Sequence, residues 1–423
     1  MIRTSVLSTF HCSSEVAPLK AVLTHRPDSG IGQVYPHIAE ELLFDDIVDV
    51  DKMQQEHDVF TQILRLLIGS EGVLSMQDLI KESLDAAGEG KVVFLIRVGA
   101  FEELPDRFLE DLNRIPHDRL AEILITGHDR QERRTYFYPI PNFIFTRDLA
   151  VMLKDHLLIT KAAKHARQRE NLLMRLIAWH HPMFAQLQRD GKVINMNDVN
   201  DYPPSRKGEP VSIEGGDVMV LNDDYLLIGR SERTNAHAIE TLEKVVFEKR
   251  LFKHVAHIHI PAKRSFMHID TLFTMIDHDT MVCYKPIVYN GESSNVVVKH
   301  EDGSERVYDS IRSFMRSEIN RDMNFIFGGD AKTPHQEREQ WTDACNLVTI
   351  KPGVAIAYDR NPYTDKAFQR AGYKILAAQD LISAVHSGYN PDDLQRTIIT
   401  IPSGELSRAR GGSHCMTSPL LRV

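Results

Sequence analysis

The sequence predicts an α/β fold in which hairpin-plus-helix units repeat about a common axis, with a helical subdomain set into the chain. Three observations carry that prediction. The segments 148–159, 217–228 and 270–281 share one plan: a leading aspartate, an apolar strand, a turn around a second aspartate seven positions on, and another apolar strand. Two of them run into amphipathic helical patterns, 164–179 and 235–247. Between residues 75 and 134 the texture is instead one of short helices. Repeats arranged about an axis bring equivalent strand starts together, so the leading aspartates are expected to meet.

Taken in order, the run 19–27 is apolar and β-branched and stops at Pro27, which reads as a buried first strand. Residues 40–46 open a helical spacing that continues through Val59, Ile63, Leu64 and Leu67 to the Gly69-Ser70 stop. In the 75–134 block, Leu79, Ile80 and Leu84, then 101–115, then 120–125 show three-and-four spacing, interrupted by a β-like run at 92–96. The charged faces of this block are read as solvated surface. Each repeated segment then reads as a β-hairpin. A fourth, weaker copy spans 346–359 and leads into a helix at 364–371, whereas 290–339 reads as a loop-rich insertion with one helix near 310–319.

At 423 residues, 42% hydrophobic and 26% charged, the chain has the composition of an ordinary globular protein with a sizeable core. Its net charge of -9 argues against a nucleic-acid partner and suits a cationic small molecule. Cys12, Cys283, Cys345 and Cys415 form no close pair, so neither a disulfide framework nor a zinc knuckle is expected. The first ten residues lack the apolar run of a secretion leader, and no stretch is long enough to span a bilayer. A cytoplasmic protein without a membrane partner is expected. His254, His257 and His259 alternate like an exposed strand and, like His180-His181, have no acidic or cysteine ligand close in sequence, so no metal is expected.

The chemistry gathers at the strand starts and at one late loop. Cys415 follows Gly411-Gly412-Ser413-His414 and precedes Pro419, a setting that presents a side chain where backbone approaches a ligand. Arg410 and His414 are candidates to activate its thiol. By itself Cys415 reads as readily as a small buried hydrophobe, His268 as a core histidine and each aspartate as a turn former. Together they form an apparatus for attacking the carbon of a guanidinium. Cys415 supplies the nucleophile and His268 a proton, Glu214 orients His268, and Asp148 with Asp270 clamps the planar cation.

Phe145-Thr146-Arg147-Asp148, Glu214-Gly215-Gly216-Asp217, Ser231-Glu232-Arg233-Thr234, Met267-His268-Ile269-Asp270 and the Gly411-to-Pro419 loop resemble the motifs of arginine deiminases, in family order. The likeness extends to Glu41-Leu42-Leu43-Phe44-Asp45-Asp46 and to Glu337-Arg338-Glu339-Gln340-Trp341-Thr342-Asp343. It implies a five-bladed α/β-propeller forming one catalytic domain over 1–423, with the 75–134 block as its insertion. It implies hydrolysis of L-arginine to L-citrulline and ammonia through an amidino-cysteine intermediate, with no cofactor, in a homo-oligomer. Arg167, Arg233 and Asn142 would then hold the substrate carboxylate, Leu43 and Phe145 would line the site, and Arg410 would move as it opens and closes.

Three positions depart from the family pattern: Ala409 stands for a usual glycine, Leu149 for a common proline and Ser418 for a frequent cysteine. None removes a reacting group. Relatives acting on methylarginine or citrulline, amidinotransferases, and a catalytically silent arginine binder are the alternatives. The helical insertion argues against the shorter hydrolases, and retention of every reacting group against the silent binder.

Overall fold

The computed structural model describes residues 9–423, so the reading of the first ten residues falls mostly outside the described residues. Among the described residues, five sheets of three or more strands follow one another around a centre, as an α/β-propeller. Each is built on an antiparallel pair joined, across a helical connection, by a parallel strand.

The second sheet pairs Ala150–Leu153 with His156–Ile159 and adds Val193–Asn195 in parallel after the helix Gln168–His180. The third does the same with Val218–Val220, Tyr225–Arg230 and His254–His259 around the helix Ala236–Glu248, whose cap Asn235 accepts from Ala238 N. Phe273–Asp277, Thr280–Cys283 and Asn324–Phe327 form the fourth. Val348–Lys351, Val354–Tyr358 and Thr397–Ile401, edged by Lys374–Ala377, form the fifth. The first is closed by the chain's end: Leu19–Thr24 runs parallel to Val73–Ser75 and antiparallel to Ser418–Arg422. This closure seats Cys415 at the centre, because only two residues separate it from a strand locked into the first blade.

Four details differ from the sequence reading. Residues 92–96 are not a strand but part of the helix Gly90–Phe101. Phe94, Leu95 and Val98 are buried in one cluster with Leu120, Leu173 and Ile177, and that helical packing overrides the β-branched propensity of Val92 and Val93. The first long helix begins at Val50, capped by Asp49, rather than near residue 40, because Leu43 takes a positive φ of 57° that breaks helical progression. The 290–339 segment carries the hairpin Asn295–His300 and Glu305–Tyr308, which extends the third sheet. Finally, His254–His259 is not exposed: it runs between Tyr225–Arg230 and Asn295–His300, with His257 buried. His257 Nε2 lies 2.7 Å from Glu243 Oε2. His181 also has a local partner, its Nε2 lying 2.8 Å from Glu82 Oε2.

At the centre the repeats are tied in a ring. Asp148 Oδ1 accepts from Gly216 N at 3.2 Å, and Asp217 Oδ1 accepts from Ile269 N at 3.0 Å. Asn346 Nδ2 donates to the Asp270 carbonyl at 3.0 Å, while its Oδ1 accepts from Cys415 N at 3.1 Å. Arg147 N, donating to the Cys415 carbonyl at 3.1 Å, closes the circle. The side-chain ties join a leading residue to the backbone of a neighbouring repeat, and with the backbone closure they fix the reactive side chains relative to one another.

Candidate active site

Cys415, His268, Glu214 and Asp148 line one buried cavity with Asn142, Phe145, Arg167, Arg233, Arg410 and Leu43, and Asp270 lies directly behind the sulfur. The free volume is about 30 Å³, too little for an amino acid unless side chains move.

His268 Nε2 lies 2.9 Å from Glu214 Oε2, and its Nδ1 is 3.8 Å from Asp148 Oδ1. Burial alone would drive this imidazole neutral. The Asp148 charge, the Glu214 hydrogen bond and the Asp217 charge outweigh burial and raise its pKa to about 10. It is therefore an imidazolium at neutral pH. A glycine is required at position 216 because a Cβ there would sit 2.5 Å from His268 Nδ1. Glu214 is held well below the usual carboxylate range: burial opposes its ionisation, but His268 and Arg167 dominate.

The thiol is in the opposite state. Cys415 is buried, and desolvation followed by the Asp270, Asp148 and Asp343 charges pushes its pKa well above the ordinary value. Its Sγ lies 3.4 Å from Asp270 Oδ2. His414, one of the two groups the sequence offered as an activator, turns to the same carboxylate instead: Nδ1 lies 2.9 Å from Asp270 Oδ2 and Nε2 3.2 Å from Glu15 Oε2. Among the described residues, Asp270 Oδ1 is buried with no hydrogen-bond partner. An acceptor left in that state calls for a cationic N–H donor.

The other carboxylate expected to clamp a guanidinium is taken. Arg167 Nη1 donates to Asp148 Oδ2 at 2.5 Å and stands 3.6 Å from Glu214 Oε2, while its Nη2 donates to Glu170 Oε2 at 2.8 Å. A guanidinium of the chain itself thus sits against the carboxylate assigned to the substrate's. Arg233 Nη1 lies 3.8 Å from Glu214 Oε1. Asn142 Nδ2 donates to the Leu42 carbonyl at 2.7 Å, fixing the segment that presents Leu43. Arg410, at φ 66°, stacks its guanidinium 3.2 Å from the centroid of Trp341. Phe145 packs under Gly411, where any Cβ would collide with its ring.

Asp148, Glu214 and His268 offer ligand atoms within 4.8 Å of one another, the spacing of a metal site. Their charge is already balanced by Arg167 and by the protonated imidazole, which has no free lone pair to donate. The trio as it stands therefore offers a metal two carboxylates and no imidazole lone pair.

Several residues escaped the sequence reading. Arg264 lines the cavity and straps its mouth, donating to Asp45 Oδ1 at 2.8 Å and to the Leu43 carbonyl at 3.3 Å. Arg408 ties the cysteine loop to the same acidic segment, donating to Asp46 Oδ2 at 2.8 Å. The adjacent acids Asp45 and Asp46 were the available signal. Asn346 stands at the leading position of the fourth repeat and was findable there. Glu15, a lone acid before the first strand, gave no signal.

A five-bladed propeller with a buried thiol, a carboxylate-held imidazolium and paired carboxylates at its centre defines a class of enzymes that act on guanidinium carbons. Solved structures share the fold: a dimethylarginine dimethylaminohydrolase adduct with S-methyl-L-thiocitrulline has a TM-score of 0.50 at 15% identity, over 95% of this chain and 99% of that one. The product-bound N-terminal domain of ArgZ, an arginine dihydrolase from cyanobacteria, gives 0.50 at 13% identity, over 95% and 97%. The arginine deiminase family model matches residues 40–115 and 102–422. Arginine deiminases of Latilactobacillus sakei and of Staphylococcus aureus strain JH9 are 32% and 31% identical, covering 98% and 97% of this chain and 99% and 97% of theirs. The chain belongs to the arginine deiminase family.

Proposed function

We propose that the protein hydrolyses free L-arginine to L-citrulline and ammonia, with Cys415 as nucleophile and His268 as acid and base. The observation that carries this is the meeting, in one buried cavity, of a thiol and a Glu214-held imidazolium, with the Asp270 carboxylate against the sulfur, in a chain of this family.

The substrate guanidinium enters between Asp148 and Asp270, which keep it planar. Arg167 exchanges partners, yielding Asp148 to the substrate and meeting the substrate carboxylate with Arg233 and Asn142. The incoming positive charge lowers the cost of ionising Cys415, whose proton passes to Asp270 Oδ2, the acceptor 3.4 Å from sulfur. Sulfur bonds to the guanidinium carbon, His268 protonates a terminal nitrogen, and ammonia leaves with an amidino group on sulfur. Neutral His268 then takes a proton from water as its oxygen bonds to the same carbon. The carbon–sulfur bond breaks, citrulline forms, and Asp270 returns the proton to sulfur. One proton ends on ammonia, which closes the balance.

Residues 1–423 act as one catalytic domain with 75–134 as its insertion, in a cytoplasmic homo-oligomer. The test is turnover of L-arginine with citrulline and ammonia assayed together. Equal yields from the parent are expected, with a loss on the order of 10⁴-fold or more in Cys415→Ala. Arginine binding without turnover by the parent would overturn the reading.

A further inference from the structure

A cleft of about 330 Å³ opens between the helices Gly90–Phe101 and Gln168–His180, on the helical side of the molecule. Phe94, Leu172 and Leu176 form an apolar wall, and Trp179 stands at the rim with 44% of its surface exposed. Arg97 enters from one helix and Arg175 from the other. Among the described residues, neither guanidinium has a carboxylate within the 4.0 Å of an ion pair.

Both guanidiniums line this one cleft without such a partner, Arg97 exposed and Arg175 half-buried, in a protein of net charge -9. Burial and then the Arg97 charge lower the pKa of Arg175, with Asp198 opposing. The same two causes lower that of His180, whose ring lies under Gly90. Among the described residues, Asp198 is the one acid on the cleft wall, and its Oδ1 already accepts from Asn200 N at 2.9 Å. None of these groups takes part in the reaction derived above.

The charge asks for an anion, the half-exposed indole for a flat ring, and the volume lies at the lower end of small-molecule sites. A recess of this depth suits a compact ligand better than the flat face of a folded protein. We propose that this cleft binds a nucleoside monophosphate, its phosphate gripped by Arg97 and Arg175 and its base laid on Trp179.

Trp179 reports on the site directly. The chain has two tryptophans, so Trp341→Phe leaves Trp179 as the sole emitter. Emission excited beyond nucleotide absorption is titrated with AMP, adenosine and inorganic phosphate, and calorimetry on the unaltered chain repeats the titration. A saturable change with AMP is expected. Adenosine is expected to bind roughly tenfold more weakly or worse, and phosphate to compete with AMP. Arg97→Ala, at an exposed position, and Arg175→Ala should each weaken AMP roughly tenfold or more, whereas Arg97→Lys should lose less. The proposal is overturned if AMP gives no saturable signal by either method, if adenosine binds as well as AMP, or if both alanine variants bind AMP like the parent. It is equally overturned if AMP fails to bind while Val93→Asp lowers the sedimenting mass, since the face would then be an interface between copies.

Discussion

The second and third repeats begin on the same residue type and use it differently. Asp217 is engaged wholly within the scaffold, Oδ1 accepting from Ile269 N at 3.0 Å and Oδ2 from the Ser231 hydroxyl at 2.5 Å. Asp270 makes its inter-repeat tie through its backbone carbonyl, which accepts from Asn346 Nδ2 at 3.0 Å. Its side chain is thereby left to His414 and to Cys415, with Oδ1 unpaired among the described residues. Converging on the axis makes a leading residue a tie. Moving that tie to the backbone is what makes one of them available for chemistry.

The comparison breaks if the two aspartates respond alike to the same change. Asp270→Asn should cost activity on the order of 10²–10⁴-fold, because an amide can neither receive the thiol proton nor balance a guanidinium charge. Asp217→Asn keeps an acceptor for Ile269 N but removes the acceptor of the Ser231 hydroxyl, whose oxygen already accepts from Arg233 N and Thr234 N, so stability should fall by roughly 1–3 kcal/mol while kcat stays within roughly threefold of the parent. Steady-state kinetics on both variants, with circular dichroism to confirm folding, decides this. Comparable losses in the two would return Asp270 to the scaffold.

A smaller effect separates the two clamp carboxylates. Asp148 is paired with Arg167, whereas Asp270 Oδ1 is unpaired among the described residues. Lysine keeps a charge but cannot span Asp148 and Glu170 together or meet a carboxylate with two parallel bonds. Arg167→Lys should therefore raise KM for arginine roughly ten- to a hundredfold and change kcat less. A fall in KM would mean that Arg167 mainly obstructs the clamp and does not grip the substrate.

The framework was readable because hairpin alternation and helical spacing are local. The three hairpins, their leading aspartates and the helices behind two of them all follow from periodicity. Residues 92–96 were misread because Val92 and Val93 carry a β-branched signal, while the burial of Phe94, Leu95 and Val98 against another helix is a tertiary fact. In the site, Cys415, His268 and the carboxylates were legible as types at repeat-equivalent positions. Which of them is unpaired was not. The pairing of Arg167 with Asp148 and the turn of His414 away from sulfur depend on sub-ångström placement. Glu15 reaches His414 across 399 residues of chain, a distance no local pattern reports.

The last and smallest effect is a pH dependence of stability that again sets Asp217 apart. Burial raises its pKa from 3.8 to about 7, against the pull of His268 and the Ser231 hydrogen bond. The folded state therefore holds this proton more tightly than the unfolded chain does. Its stabilisation is fully present below about pH 3.8 and is lost as pH rises through about 7. His268 continues the trend: with its pKa raised from 6.5 to about 10, its contribution is complete below about 6.5 and fades towards 10. Glu214 and Asp270, held below their usual values, act in the opposite sense at acid pH, where protonation removes what they contribute. Denaturant unfolding between pH 4.5 and 7, where roughly the Asp217 range falls, should show the parent losing stability as pH rises and Asp217→Asn following a flatter line. Since asparagine keeps the Ile269 tie and carries no titrating proton, an unchanged slope would mean that Asp217 stays ionised in the ring, and that its difference from Asp270 lies in geometry alone.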